Sequence, residues 1–530
     1  MKVLVSDKLS DQGVKILKDA GLTVDVNTKL GPQELLQVIP NYEGLVVRSG
    51  TKVTKDVLAA ATKLKVVGRA GSGLDNVDLE EATRRGVVVM NTPGGNTITT
   101  AEHSVALMLS MVRMIPQATA STKAGKWEKS RFTGIELYNK VLGIIGMGQI
   151  GGHVAKLAQG LLMRVVAYDP YLSPETAKKA GVEKVELEDL FRRADIITVH
   201  VPLTPETTKL INADSFKLMK DGVRIVNCAR GGIVDEAALY DALASGKVAG
   251  AAMDVFEKEP VDPHHPLLKS DTVVCTPHVG AATTEAQEQV AVAIAEQIAD
   301  YLIRGIIRHA ANLPSVPADL LPKLQPYLVL SEKMGAFLAQ LYEGALQQVT
   351  IEYRGEVAEL SAGGGTAPLT IAALRGLLNP ILENNVNYVN APVVAKERGI
   401  EVREVRSDDA GNFTSQLVLR IKTDRGTEQV AGTLYKQSEP RIVNVNGIPL
   451  EVTPSGSMLV LVNNDQPGVI GKIGTLLGDS RINIARMELG REAPNGRAIS
   501  VIGIDAPVPA ALLEQLRRLP QILSAKQIRL

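Results

Sequence analysis

Short apolar runs alternate with stretches of helical spacing along the first 95 residues. The runs lie at 3–6, 44–47, 65–67 and 87–90, with helical patterns such as 10–20 between them. Strands joined by helices predict a parallel sheet, because a parallel pair needs a crossover connection. The apolar stretch 99–115 predicts a helix leading into a second domain, where the alternation resumes at 141–145, 165–168, 196–200, 224–227, 250–254 and 272–276. An alanine-rich helix predicted over 284–303 returns to the first domain. The pattern then breaks at 310–330, where Pro314, Pro317, Pro322 and Pro326 predict a linker, since proline does not fit a helix interior. A mixed segment follows over 331–452, with a glycine run at 363–365 read as a hinge or an anion-binding turn. After a second predicted linker at 454–457 come strand 458–463, helix 468–478, strands 482–489 and 498–504, helix 509–516 and a last strand at 527–530. That order is a ferredoxin-like βαββαβ unit.

Composition narrows the function classes. The 530 residues carry 58 basic and 58 acidic side chains, which gives no reason to expect nucleic acid or an anionic membrane as partner. Two cysteines, Cys228 and Cys275, are too few for a disulfide framework. Met1 leads directly into a strand pattern and no apolar run reaches membrane-spanning length, so the expectation is a cytoplasmic protein. Aromatic residues make up only 3% of the chain, which singles out Trp127, its one tryptophan.

The first candidate chemistry is Gly146, Gly148 and Gly151, a G-x-G-x-x-G directly after the apolar run 141–145. The first glycine permits a tight turn, the second leaves room for a pyrophosphate, and the third lets the following helix pack against the strand. The helix, beginning near Gln149, turns its N-terminus toward the anion. Asp169 ends the next apolar run, where a carboxylate accepts from ribose hydroxyls and repels a 2′-phosphate. The expected cofactor is NAD, in a Rossmann domain. With 47 glycines in the chain a chance match is common, but the strand, helix and acid around this one are the context the motif requires.

Three further segments carry reactive side chains beyond strand ends, where ligands of open α/β sheets bind. They are NCARGG with Arg230, VFEKEP with Glu259 and PHVGAAT with His278. His278 is the expected base for a hydroxyl proton, with Glu259 on its other ring nitrogen. Arg230 offers a planar fork for a substrate carboxylate. Cys228 is expected to pack, His264 and His265 to face solvent, and His103 and His153 to lie on helices.

These segments, with VVRSGTKVT, VVGRAGSGLDNVD, NTPGGNT and ATASTKAGKWEKSRFTG, resemble the D-isomer-specific 2-hydroxyacid dehydrogenase family, and within it the branch acting on 3-phospho-D-glycerate. The resemblance implies an α/β chain: a Rossmann NAD-binding domain (98–285) inserted in a flavodoxin-like substrate domain (1–97 plus 286–312). An α+β regulatory domain (313–453) and an ACT domain (457–530) follow. It implies Arg230, Glu259 and His278 as the catalytic set, and cofactor contacts at Gln149, Ile150, Asp169, Cys228, Ala229, Asp254 and Gly280. It implies substrate contacts at Arg48, Arg69, Ser72 and Gly73, and Trp127, Lys129 and Arg131 reaching into a partner subunit's site. The terminal module resembles an ACT domain, implying L-serine as effector at Asn463, Asp465 and Asn483; Asp465 also suits a helix cap. Lys436 and Arg441 are basic candidates for an anion in the regulatory domain, and no metal is expected. The implied reaction links 3-phosphoglycerate and phosphohydroxypyruvate in a homo-oligomer, a tetramer. The alternatives are a relative that reduces glyoxylate or 2-oxoglutarate, a corepressor of the same fold, and a serine sensor with a decayed dehydrogenase.

Overall fold

The computed structural model describes residues 1–314, 320–360, 367–382 and 386–530. Strands β1 (Lys2–Val5), β2 (Thr23–Val26), β3 (Gly44–Val47), β4 (Val66–Arg69) and β5 (Val88–Met90) form a parallel sheet in the order β2-β1-β3-β4-β5. This is the flavodoxin-like order. The helix Thr284–Arg304 returns to it and packs Ile294, Ile298 and Leu302 against Val3, Val46 and Val66. The edge strand β2 is absent from the expectation because its four residues are only half-buried or exposed, and so carry little apolar signal.

Strands β6 (Val141–Ile145), β7 (Arg164–Tyr168), β8 (Glu183–Lys184), β9 (Ile196–Val199), β10 (Val223–Asn227), β11 (Val248–Met253) and β12 (Val273–Cys275) form a second parallel sheet. Its order is β12-β11-β10-β9-β6-β7-β8, a Rossmann arrangement whose switch point lies between β6 and β9. The helix Thr97–Val112 crosses from the first sheet to this one, burying Ala101, Met108 and Met111 with Val154 and Ala155. It stops earlier than expected. Pro116 cannot donate to the Val112 carbonyl, which instead accepts from Ile135 N, and a separate helix Ile115–Lys123 starts after Met114 at φ 53°.

The remaining strands form two sheets. β13 (Leu346–Gly355), β14 (Glu401–Ser407), β15 (Ser415–Thr423), β16 (Gly426–Tyr435), β17 (Glu439–Val445) and β18 (Ile448–Val452) make a mixed sheet in the order β14-β13-β15-β16-β17-β18. β19 (Ser457–Asn464), β20 (Ile484–Arg491), β21 (Arg497–Ile504) and β22 (Ile522–Arg529) pair antiparallel in the order β20-β21-β19-β22. One face of this last sheet carries the helices Val469–Asp479 and Ala510–Arg517. The other face contributes Met458, Val460, Ile499, Val501 and Ile528 to the core that also holds Leu330, Phe337, Leu419 and Ile442. The segment expected as a linker at 454–457 therefore joins two sheets that share one interior, and it is tied down by Lys333 Nζ on the Pro454 carbonyl.

The predicted proline linker needs correction. Pro322 and Pro326 lie inside the helix Leu321–Leu341. Pro322 occupies the first turn, where no N–H is required, and Pro326 forfeits only the bond to residue 322. Burial of Leu324, Leu330, Met334, Phe337 and Leu338 outweighs that loss. Pro317 and the glycine run at 363–365 lie outside the described residues. Among the described residues, no helix is long and apolar enough to cross a membrane.

Candidate active site

β6 runs directly into Gly146, whose φ is 94° and where a Cβ would lie 2.5 Å from the His200 carbonyl oxygen, so only glycine fits. Gly151, in the first turn of the helix Gln149–Gly160, would place a Cβ 2.0 Å from the Gly146 carbonyl. Only glycine lets helix and strand meet so closely. Gly148, the N-cap between them, faces open space, which is the room a pyrophosphate at this helix N-terminus requires. Asp169 follows β7 and accepts from Met147 N and Tyr171 N, each at 2.8 Å, one on each carboxylate oxygen. It is thereby held against the turn itself. Gln149 accepts from Thr97 Oγ1 at 3.1 Å, and Ile150 packs on the core between the Rossmann sheet and the crossing helix. This donor-lined, anion-sized turn fits NAD.

The neighbouring strand ends bring the other candidates to the same edge. Asn227 folds the loop after β10: its Oδ1 accepts from Ala229 N at 3.0 Å and its Nδ2 donates to the Arg230 carbonyl at 2.9 Å. Cys228 is buried, and that burial pushes its thiol up to about 12, so it packs and is no nucleophile. His278 Nδ1 and Glu259 Oε2 lie 2.7 Å apart, while Glu259 Oε1 accepts from Phe256 N at 3.1 Å. The His278 backbone has φ 54°, a left-handed conformation that costs energy for a residue with a Cβ. It is held there by bonds from its N–H to the carbonyls of Asp254 and Thr276.

Asp254 is 1% exposed and collects hydrogen bonds from Thr276 Oγ1, Val279 N and Gly280 N at 2.5, 2.9 and 2.8 Å, with His103 Nε2 at 3.2 Å. Burial raises its carboxyl, but these donors outweigh burial and hold it below its ordinary value. His103, read in the sequence as one more helical histidine, thus lies beneath the loop carrying His278. His265, expected in solvent, instead pairs with Glu236 Oε2 at 3.0 Å. Contacts across 151 and 29 residues leave no trace in local spacing.

On the first sheet, Arg48 directly follows β3 and Arg69 ends β4. Arg48 N donates to Asp7 Oδ2 at 2.6 Å, and its Nη1 reaches the Lys8 carbonyl at 3.3 Å. Arg69 is half-buried, and desolvation, followed by the charges of Arg230 and Arg48, pushes its guanidinium down to about 10. Arg230 and Arg48 thus act on Arg69 as like charges, partly offset by Asp75 and Asp7, and an anionic ligand would relieve that repulsion. Ser72 Oγ donates to Asn96 Oδ1 at 2.6 Å, and Gly73 lies under Arg230, where a Cβ would be 2.2 Å from Nη2. Trp127 is 79% exposed, and the ion pairs of Arg131 among the described residues are with Glu128 and Asp271.

The expected effector residues lie around β19. Asn463 is buried with no partner for its Oδ1 among the described residues, Asp465 accepts from Arg491 Nη1 at 2.9 Å, and Asn483 Nδ2 donates to Asp505 at 2.7 Å. Asp465 does not cap a helix: the N-cap of Val469–Asp479 is Gly468, with no side-chain bond. Arg441 faces Glu439 and Glu451, so its charge is already matched within the chain, and Lys436 Nζ lies over the Tyr435 ring.

Family profiles match in three places. They are the D-isomer specific 2-hydroxyacid dehydrogenase NAD binding domain at residues 105–280, the D-3-phosphoglycerate dehydrogenase intervening domain at 323–446, and the ACT domain at 457–521. D-3-phosphoglycerate dehydrogenases of Archaeoglobus fulgidus and Synechocystis are 45% and 44% identical to the chain, covering 100% of it and 100% and 95% of their own lengths. The Bacillus subtilis enzyme of that name is 42% identical over 99% of both chains. Among solved structures, Escherichia coli D-lactate dehydrogenase superposes with a TM-score of 0.53 at 30% identity, covering 58% of this chain and 98% of that one. A glyoxylate reductase from Paecilomyes thermophila gives 0.54 at 27%, covering 59% and 98%. Three successive profile matches and full-length relatives at this identity mean that the chain belongs to the D-3-phosphoglycerate dehydrogenase family of NAD-dependent D-2-hydroxyacid dehydrogenases.

Proposed function

We propose that the chain oxidises 3-phospho-D-glycerate to 3-phosphooxypyruvate with NAD, the first step of phosphorylated serine biosynthesis, under feedback by L-serine. The observation that carries the reading is the 2.7 Å contact between His278 and Glu259, at the same sheet edge as Arg230 and the glycine turn. NAD, when bound, supplies the nicotinamide carbon that takes the hydride. His278 accepts the hydroxyl proton at Nε2, while Glu259 on Nδ1 fixes the tautomer and stabilises the imidazolium that forms. Arg230 binds the substrate carboxylate, and in the reverse direction it polarises the adjacent carbonyl. Arg48 and Arg69 hold the phosphate beside Ser72 and Gly73.

Gly146, Gly148 and Gly151 cradle the pyrophosphate, and Asp169 reads the ribose once the sugar hydroxyls share its oxygens. Trp127, Lys129 and Arg131 reach the site of a second subunit in a homo-oligomer, a tetramer, which gives an exposed tryptophan a place to bury. Serine binds at Asn463, Asp465 and Asn483. Regulatory strain has a path to the catalytic half, since Asn387 Nδ2 donates to the Gly86 carbonyl at 2.8 Å and Val389 enters the core of the first sheet.

The test is NADH formation from 3-phosphoglycerate with and without L-serine. Turnover that serine suppresses is expected. Turnover without suppression removes the effector assignment, and reduction of glyoxylate or 2-oxoglutarate alone moves the chain to a sister activity.

A further inference from the structure

Arg230 stands on the loop after β10 of the Rossmann sheet, yet the carboxylate that meets it comes from the other domain. Asp75, 155 positions earlier on the loop after β4, accepts from Arg230 Nε at 2.9 Å. Arg230 Nη1 donates to the Ala229 carbonyl at 2.7 Å. Nη2 makes no hydrogen bond among the described residues, and it lies directly over Gly73. Two of the three guanidinium nitrogens are thus anchored, one from each domain, and the third is left to donate into the cleft.

We propose that Asp75 is a positioning residue for Arg230, clipping its guanidinium across the interdomain cleft so that Nη2 faces the substrate carboxylate. The proposal rests on the function above only in requiring a 2-hydroxy or 2-oxo acid as substrate.

Asp75 is itself held in place. Its neighbour Asn76 donates from Nδ2 to the carbonyls of Arg48 and Thr51 at 2.7 and 2.6 Å, and the Asn76 carbonyl accepts from Val53 N at 2.8 Å. The loop that carries Asp75 is therefore fastened to the loop that carries Arg48. An Ala229 carbonyl alone would leave Arg230 free to swing away from Arg69, since like charges drive the two apart. Asp75 opposes that swing by accepting from Nε at 2.9 Å. The Asp75 side chain is 66% exposed and that of Arg230 31%, and an ion pair so open to water adds little to stability. Its consequence is orientation, and a small misplacement of a substrate-binding group is costly in rate.

The test compares Asp75→Ala and Asp75→Asn with the wild type in the full chain, measuring KM and kcat for 3-phosphoglycerate, NADH affinity by fluorescence, and Tm. Asp75→Ala is expected to raise the substrate KM about tenfold or more and to lower kcat/KM further, with NADH affinity within about twofold and Tm little changed. Asp75→Asn, whose amide oxygen still accepts from Nε, is expected to recover most of the loss. A KM that stays the same or falls in Asp75→Ala would overturn the proposal, because Asp75 would then be idle or a competitor for Arg230. Loss of NADH affinity in step with KM, or an Asn variant as impaired as the Ala variant, would also overturn it. Should the wild type reduce glyoxylate or 2-oxoglutarate and leave 3-phosphoglycerate untouched, the substrate assignment fails; the same comparison, run on that acid, then decides Asp75.

Discussion

At the carboxyl edges of the two parallel sheets, His278 and Arg230 are anchored on one side, and among the described residues no hydrogen bond reaches their other side. His278 gives Nδ1 to Glu259, and Arg230 gives Nε and Nη1 to Asp75 and Ala229. In the C-terminal pair of sheets most of the corresponding candidates are closed by their own chain, Asp465 by Arg491, Asn483 by Asp505 and Arg441 by Glu439 and Glu451, while the buried Asn463 keeps an Oδ1 with no hydrogen bond among the described residues. The difference follows from topology. Parallel strands all end on the same side, so their loops converge on one edge and their side chains can point into a shared cleft. The antiparallel sheet spends one face on its helices and the other on the core shared with the mixed sheet, so its exposed polar residues lie at the rims, while Asn463 and Ser500 are buried within it. A ligand in the catalytic half finds donors waiting. An effector at the rim must first exchange partners.

That contrast can be broken by substitution, and the largest effect is expected at the dyad. His278→Ala should lower turnover at least about a hundredfold while NADH still binds, as loss of a general base does; near-normal turnover in a stopped-flow assay would remove His278 from the chemistry. Gly151→Ala comes next. Its Cβ would lie 2.0 Å from the Gly146 carbonyl, so the turn must open, and a titration should record NAD affinity weaker by about tenfold or more. In the C-terminal half, Gly490→Ala places a Cβ 2.3 Å from the Pro449 carbonyl, where the two sheets meet. Such overpacking should cost about 1–3 kcal/mol in urea unfolding of that block and leave saturated turnover intact. A matching fall in kcat would mean that the halves are less separate than their topology indicates. The smallest effect is expected from Arg491→Ala, which releases Asp465. Serine inhibition should shift by a fewfold at unchanged uninhibited turnover, and an identical inhibition curve would take Asp465 out of the effector site.

Legibility followed burial and locality. Strands β6 and β3 coincide with the runs at 141–145 and 44–47, because each is buried along its whole length and reads as an unbroken apolar run. The exposed β8 carried no such mark. Pro326 misled because proline's local cost is written in the sequence, while the burial of Phe337 and Leu338 that overrides it is not. The helix read over 99–115 failed at its end for the converse reason: the break near Pro116 was available in the chain, but the apolar residues on either side concealed it.

The sequence by itself determined the two parallel sheets and the glycine turn with its acid, and it singled out Arg230, Glu259 and His278 as candidates. Each of these depends on residue type within a short window, where period, turn chemistry and spacing act directly. Only the tertiary structure decided what those residues lean on. His103 and Thr276 hold Asp254 beneath the strained His278, Asp75 meets Arg230 from the other domain, and β19 and β21 share an interior with the preceding sheet. Such contacts join residues tens to hundreds of positions apart. Their distances are set by how sheets stack and domains close, which no local pattern encodes.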